Sequence, residues 1–271
     1  MINCLSAFNE YFEIVQALTK EQVTQGQRLR FQVFTLERQI FSQDRYPDGI
    51  ECDAYDGHSV HSLLRHRSTG QLAAAVRLVL SDRNAPDKGF PIEKQLQYPL
   101  YFKDVDVRSL PRSSVAEISR FAISKQFRHR AGDEHLDYDS TDRRVSVIPD
   151  HDLHARNRRA EGRRSFPHIS LGLLKAIVQM SVENSVQYWY AAMEPSFIRL
   201  LYRFGVRFHA LGPIIDYSGK RQPCIACVDE LLTGIANERL DVWQFITDDG
   251  RLLNASDFLP PDGGVAGGSI D

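Results

Sequence analysis

Charged side chains interrupt apolar segments at several points in the first half of the chain. Glu117 and Arg120 lie inside the apolar run Val115–Ile123, and Arg77 lies inside another at residues 71–80. A charge in an apolar strand must be paired, or it loses its ionisation. A carboxyl group kept partly out of water has a raised pKa and can take a proton from a nucleophile, whereas guanidinium groups bind carboxylates through paired hydrogen bonds. These residues are therefore candidates for general-base catalysis and for substrate binding.

Two other segments carry complementary charges. One is Arg-Leu-Arg-Phe-Gln-Val-Phe at residues 28–34, and the other is Glu-Cys-Asp-Ala-Tyr-Asp at residues 51–56. The sequence predicts a polar cluster of three arginines and three acids: Arg30, Arg77, Arg120, Asp53, Asp56 and Glu117. A structural network of ion pairs on a sheet is the alternative, because such networks also place charges in strands.

Composition excludes several classes of protein. The 271 residues are 42% hydrophobic with a net charge of −2, so the chain can build a core and is not basic throughout, as a protein that coats nucleic acid would be. Four cysteines are too few for a disulfide scaffold. Neither the Cys224/Cys227 pair, on opposite faces of a predicted strand, nor the two His-x-x-H pairs provide a set of metal ligands, so no metal is expected.

No segment is typical of a membrane protein or of an exported one. The best apolar run, residues 72–80, is too short to span a bilayer and contains Arg77. The N-terminal segment lacks the basic lead of a signal peptide. A cytoplasmic protein without a membrane span is expected.

Alternating apolar patterns predict an α/β fold with a mixed sheet flanked by helices. Helices are predicted at residues 22–41, 91–97, 167–184 and 195–204. Strands are predicted at residues 60–66, 71–80, 115–124, 186–193, 207–216 and 223–232. Residues 128–166 form a charged insertion with almost no apolar periodicity. The tail at 259–271 is too poor in apolar residues to fold.

Four short motifs carry a family resemblance. R-x-x-x-F (Arg30 and Phe34), E-x-D-x-Y-D (residues 51–56), V-R-L (residues 76–78) and E-I-S-R-F (residues 117–121) occur in this order. Together they resemble the autoinducer-synthase branch of the GNAT-like acyltransferases, which includes acyl-homoserine-lactone synthases and N-acyl amino acid synthases. The nearest resemblance is to acyltransferases associated with PEP-CTERM/exosortase systems.

The resemblance implies a single GNAT-like domain over residues 1–258. It implies an acyltransferase that moves a long-chain acyl group from acyl carrier protein or CoA to the amine of an amino acid or similar acceptor, with no tightly bound cofactor. It also implies catalytic roles for Glu117, Arg120, Asp53 and Asp56. The residues implied in substrate binding are Arg30, Phe34, Arg77, Ser119 and Phe121.

A regular strand would not place both Glu117 and Arg120 on the same face of the sheet. In a regular strand Glu117 shares a face with Ser119 and Phe121, and Arg120 lies opposite. A β-bulge would change which side chains share a face, and it would free a backbone N–H to stabilise an oxyanion. The acyl chain needs an apolar slot, for which the candidates are Phe121, Ile123, Tyr188, Trp189, Tyr190, Met193 and Phe197. Cys52 is not expected to be a nucleophile, because neighbouring Glu51 and Asp53 would raise its pKa.

A basic run in the insertion predicts a protein partner. Five arginines and one glutamate lie within residues 156–164. The charge suits the acidic surface of an acyl carrier protein, whereas RNA binding is disfavoured because the run has no aromatic residue on which a base could stack. A solvated loop without a partner is the alternative. The predicted docking residues are Arg156, Arg158, Arg159, Arg163 and Arg164.

Two departures from the lactone synthases bear on the acceptor. Those enzymes have a tryptophan a few residues after the phenylalanine, where this chain has Gln39, Ile40 and Phe41. They also lack the long charged insertion. Both departures favour a free amino acid or other amine over S-adenosylmethionine. A lactone synthase and a non-catalytic acyl- or protein-binding module remain the alternatives.

Overall fold

Strands from both halves of the chain form one mixed sheet in the computed structural model of the protein, which describes residues 8–85, 88–96, 98–128 and 169–253. The sheet strands are β1 (Phe12–Gln16), β2 (Ser59–His66), β3 (Leu72–Val79), β6 (Val115–Ile123), β7 (Tyr188–Met193), β8 (His209–Ala210), β9 (Ile215–Asp216) and β10 (Lys220–Cys227). A separate hairpin joins β4 (Tyr101–Phe102) and β5 (Val105–Asp106).

The order of the strands is β1-β2-β3-β6-β7-β10-β8, with β9 also paired to β10. Strands β6 and β7 are parallel, and the other neighbouring pairs in the sheet are antiparallel. The predicted mixed sheet is therefore confirmed. The parallel pair is the place where the two halves of the chain meet.

Helices cover both faces of the sheet. They are α1 (Phe8–Tyr11), α2 (Lys20–Phe31), α3 (Lys125–Arg128), α4 (described over residues 169–183), α5 (Pro195–Tyr202), α6 (Val228–Glu238) and α7 (Leu240–Thr247). Helix α2 continues as a π-helix over Gln32–Glu37. Leu63 packs in the cluster beneath α2 and Leu64 packs in the larger cluster that contains α4, α6 and α7, because successive strand residues face opposite sides.

A capping box fixes the start of α2. Thr19 accepts a hydrogen bond from the Gln22 N–H, and the Gln22 side chain accepts one from the Thr19 N–H. Gly26 lets the helix approach β2 closely, since a Cβ atom there would stand 2.9 Å from Leu63 Cδ2. Arg30 follows one turn later, and the same close packing buries it against the sheet.

Three predictions about secondary structure are wrong. Residues 91–95 form turns rather than a short helix, and residues 207–216 contain only the two-residue strands β8 and β9. The strand predicted at 223–232 ends at Cys227, where α6 begins. Buried residues at the helical spacing of 3, 4 and 7 cause this change of element: Val228, Leu231, Leu232 and Ile235.

Some sequence predictions fall outside the described residues. These are the arginine run at 156–164, nearly all of the insertion and the tail at 259–271. Among the residues that the structure describes, no helix is long and apolar enough to cross a membrane.

Candidate active site

A split between β6 and β7 opens the middle of the sheet. The two strands are paired only from Val115 with Tyr188 to Ile118 with Ala191, although β6 runs on to Ile123 and β7 to Met193. A cavity of about 810 Å³ lies at this split, and both diverging strand ends line it. Separated strands leave space and unpaired backbone groups in the interior of the sheet, so this is the natural place for a ligand.

A β-bulge in β6 orders the charged side chains around the cavity. Ala75 pairs with Ala122 and Arg77 with Ser119, so β6 has one extra residue against β3. The backbone of Arg120 adopts φ 54°, the left-handed region that is uncommon for a residue with a side chain. As a result Glu117, Ser119 and Arg120 all line the cavity, which regular alternation would not allow.

Glu117 is a buried acid at the inner end of the split. It is 2% exposed, and the Ile92 N–H donates to its Oε2 over 2.8 Å. Burial raises its pKa to about 8, although the hydrogen bond from Ile92 and the nearby charge of Arg77 act in the other direction. A carboxyl group with this pKa is well matched to act as a base near neutral pH.

An ion pair between Arg112 and Glu93 holds the segment that supplies the Ile92 N–H. Arg112 donates to both carboxylate oxygens of Glu93, each over 2.7 Å, and the Phe90 N–H donates to Glu93 Oε2 over 2.9 Å. The Arg112 guanidinium also lies 4.5 Å from the centre of the Phe90 ring. These contacts fix the turn at residues 90–93 and hence the hydrogen bond to Glu117.

Three arginines and three carboxylates form a network behind the cavity. Arg30 contacts Glu51 at 2.5 Å and Asp56 at 2.6 Å. Arg77 binds both carboxylate oxygens of Asp53, at 2.6 and 3.0 Å, and lies 3.1 Å from Asp56.

Arg120 completes this network from the bulge. It lies 2.9 Å from Glu51 and 2.8 Å from Asp53. Burial alone would raise the pKa values of the acids, but the guanidiniums hold the pKa of Asp56 well below its usual value of 3.8 and lower those of Glu51 and Asp53. Burial lowers the pKa of neighbouring His61 to about 4, so its ring is neutral at pH 7.

The network separates the predicted residues into two groups. Asp53, Glu117 and Arg120 line the cavity. Asp56, Arg30 and Arg77 stand behind the lining, and the two arginines are no more than 2% exposed. The ion-pair network, one of the two alternatives that the sequence left open, is thus present, and its Asp53 and Arg120 side chains face the cavity beside Glu117.

The remaining predicted residues also divide into those that line the cavity and those that do not. Ser119 accepts a hydrogen bond from Arg77 Nε over 2.9 Å and also lines the cavity. Five predicted apolar residues line the cavity: Phe34, Phe121, Ile123, Met193 and Phe197. The other predicted residues, Tyr188, Trp189 and Tyr190, do not line the cavity. Trp189 and Tyr190 are fully buried in the core clusters on opposite faces of the sheet, because alternation in β7 turns them away from the split.

Several functional candidates were missed by the sequence. Tyr217, in the β9–β10 hairpin, lines the cavity, and burial together with the charge of Glu117 raises its pKa. Arg38, Glu194 and Arg221 form another charged group in the wall. None belongs to a motif, and each comes from a different element, so no pattern along the chain signals them. Within the described residues, no three potential ligands come together as a metal site would require.

Comparison with known proteins bears on the fold and the class of chemistry. The model of the acetyltransferase (GNAT) domain matches residues 29–137, the part of the chain that contains all four motifs. The predictions of a GNAT-like fold and of an acyltransferase are therefore confirmed. No curated protein matches the sequence.

Solved structures share this fold at low sequence identity. TofI, in a ternary complex with an inhibitor and MTA, is 18% identical with a TM-score of 0.51, over 83% of this chain and 96% of TofI. BjaI, a CoA-dependent acyl-homoserine lactone synthase with SAM and isopentyl-CoA, is 17% identical with a TM-score of 0.51, over 93% of each chain. FeeM, an N-acyl amino acid synthase from uncultured soil microbes, is 10% identical with a TM-score of 0.51, over 84% of this chain and 96% of FeeM.

Proposed function

We propose that this protein is an N-acyltransferase that moves a fatty acyl group from a thioester to the amine of an amino acid or a similar acceptor. The observation that carries the proposal is Glu117, a buried acid with a raised pKa in the wall of a cavity that has both a charged and an apolar lining. Such a cavity suits a reaction between a polar amine and a long-chain acyl group. The names of FeeM and BjaI, which share the fold, agree with acyl transfer.

In the proposed reaction, ionised Glu117 takes a proton from the acceptor amine as its nitrogen attacks the thioester carbonyl. The carbonyl oxygen becomes an oxyanion, which then collapses as the C–S bond breaks. A C–N bond has formed, and the thiolate leaves and takes up a proton from Glu117 or from solvent. No covalent enzyme intermediate and no cofactor are needed.

The split strands supply a site for the oxyanion. Beyond Ile118, no β7 residue pairs with β6 in the described part of the chain. Backbone N–H groups on that side of β6 are therefore available as donors, and the bulge at Arg120 changes their direction. Donors fixed in a strand need no reorganisation when charge develops.

The network behind the cavity positions the reactive edge. Arg120 is held by Glu51 and Asp53, and Asp53 is held in turn by Arg77. We propose that Asp53 and Arg120 orient the amine beside Glu117, and that Arg30, Arg77 and Asp56 act through them. Catalysis is sensitive to small displacements, so a rigid set of ion pairs is suited to this role.

The proposed donor is an acyl thioester of acyl carrier protein or of CoA. Further arginine side chains recur along the cavity lining and suit a donor with phosphate groups: Arg45, Arg128, Arg199 and Arg203. Docking of acyl carrier protein on the run at 156–164 is part of the proposal. An association with PEP-CTERM/exosortase systems stays a prediction.

The test is acyl transfer with purified protein. Hexadecanoyl-CoA and hexadecanoyl-acyl carrier protein are each incubated with single amino acids, and the products are identified by mass spectrometry. We expect N-acyl amino acids from the native protein, a loss of about 10²–10⁴-fold in Glu117→Gln, and unchanged activity in Arg207→Gln, a control at an exposed ion pair.

Two outcomes contradict the proposal. Full activity in Glu117→Gln would remove the role of the buried acid, and no N-acyl product with either donor would remove the reaction itself. Lactone formation from S-adenosylmethionine would instead identify a lactone synthase. Ile40 and Phe41 line the cavity in the segment where the lactone synthases have tryptophan, which disfavours that outcome.

A further inference from the structure

A second charged group lies in the cavity wall, apart from the network around Glu51. Arg38 follows the π-helix at Gln32–Glu37, Glu194 directly precedes α5, and Arg221 lies in β10. Nη2 of Arg38 and Nη2 of Arg221 both contact the same oxygen of Glu194, Oε1, the latter at 3.2 Å. Three elements that are distant in sequence thus bring two guanidiniums to one carboxylate oxygen.

The charge of this group is not balanced. In the network behind the cavity, three guanidiniums meet three carboxylates and their hydrogen bonds are used within the protein. Here two guanidiniums share one carboxylate, and the Arg221 side chain is only 15% exposed. Burial lowers the pKa of Arg221 and the charge of Arg38 acts in the same direction, whereas the charges of Glu194 and Asp216 oppose this effect. A second anion would relieve this excess of positive charge.

We propose that Arg38 and Arg221 bind the carboxylate of the acceptor. The identification of that anion rests on the proposed function, which makes the acceptor an amino acid. Arg30, Arg77 and Arg120 were the arginines expected to bind it, but their partners are already Glu51, Asp53 and Asp56, as described above. Arg38 and Arg221 are the pair in the cavity wall that share a single carboxylate.

The register of the sheet relates this pair to Glu117 through Glu194. Tyr190 of β7 is the partner of Glu117, and Glu194 follows four residues later. At about 3.3 Å per residue the two positions are about 13 Å apart along the strand, and the side chains of Glu117 and Arg221 both reach into the same cavity.

Glu194 acts as an internal competitor in this proposal. It neutralises part of the guanidinium charge in the free protein, and an incoming carboxylate must share or replace its contacts. Removing its charge should therefore strengthen the binding of the acceptor carboxylate. Loss of either arginine should weaken it, so the two kinds of variant have effects of opposite sign.

The test compares two ligands that differ in one charge. N-dodecanoylglycine is an acylated amino acid with a free carboxylate, and N-dodecanoylglycinamide has a neutral amide in its place. Both are titrated calorimetrically, which needs no turnover, so an absence of transferase activity would not mask the result. We expect the native protein to bind the acid at least about tenfold more tightly than the amide, as hydrogen bonds to charged groups allow.

Single-residue variants test which side chains cause the preference for the acid over the amide. We expect the ratio of acid to amide affinity to fall to within about twofold in Arg221→Gln and to fall also in Arg38→Gln, whose side chain is more exposed. The ratio should rise in Glu194→Gln and stay unchanged in Arg207→Gln, which loses an ion pair outside the cavity. Circular dichroism confirms that each variant is folded.

Three results would overturn the inference. They are equal affinity for acid and amide in the native protein, no binding of either ligand, and a preference that persists in both arginine variants. A further titration uses CoA alone. If Arg221→Gln weakens CoA binding while the preference for the acid persists, the arginines bind the donor's phosphate and the assignment to the acceptor is wrong.

Discussion

Replacing Glu117 with glutamine should stabilise the protein while it lowers the rate of acyl transfer. The buried carboxyl has a pKa raised from its ordinary value of 4.5 to about 8. Between these two pH values the folded protein keeps a proton that the unfolded chain has lost, so the stability of the native protein falls as pH rises. Glutamine has nearly the same shape, and its side-chain oxygen can still accept the hydrogen bond from the Ile92 N–H, but it has no charge to bury.

The size of the effect follows from the shift in pKa. Each unit corresponds to about 1.36 kcal/mol, so the shift from 4.5 to about 8 sets a ceiling of about 5 kcal/mol on the gain in Glu117→Gln at pH 8. The gap between variant and native protein should be small at pH 5, widen toward pH 8 by at most about 1.4 kcal/mol per pH unit, and level off above that.

Urea denaturation at pH 5, 6, 7 and 8 measures this gap. Glu230→Gln, at an exposed glutamate paired with Lys103, is the control and should show no comparable widening. A gap for Glu117→Gln that does not change with pH would refute the raised pKa, and with it the reason for treating Glu117 as a base. Full transferase activity in the same variant would refute the base itself.

Other predictions concern the network and the turn that support Glu117. Arg77→Met should lower the free energy of unfolding by about 3–5 kcal/mol, measured in urea, because it leaves buried carboxylates without a partner; a loss no larger than that of Arg207→Gln at the exposed surface would contradict this. Arg112→Met should lower kcat and shift the pH–rate profile, with little change in the KM of the acyl donor, because it loosens the turn that donates to Glu117; an unchanged profile would show that the turn has no such role. The pKa of Asp56 is depressed, so its contribution to stability is present above pH 3.8 and is lost as pH falls below that value. Asp56→Asn should therefore be less stable than the native protein at pH 7. In acid-denaturation curves, this difference in stability should shrink as the pH falls.

The central strands and their charged residues could be predicted because their signal is local. An apolar run of alternating residues predicts a strand wherever it lies in the chain, and β2, β3 and β6 were found within one residue of the predicted bounds. A charge inside such a run must have a partner, so the sequence by itself determined that Arg77, Glu117 and Arg120 belong to a special cluster. It also placed Asp53 and Asp56 in that cluster, but it did not identify Glu51, which pairs with both Arg30 and Arg120.

Tertiary structure decided which of these residues reach a ligand. The bulge at Arg120 exists only as a difference in register between β6 and β3, and the cavity exists only because β6 and β7 separate beyond Ile118. The charged group of Arg38, Glu194 and Arg221 likewise depends on three elements meeting at one wall. Strand register, separation and desolvation arise from contacts between segments that are distant in sequence, and no local pattern encodes them. The amino-acid sequence therefore specified the chemistry available to the protein, and packing determined which groups face the cavity.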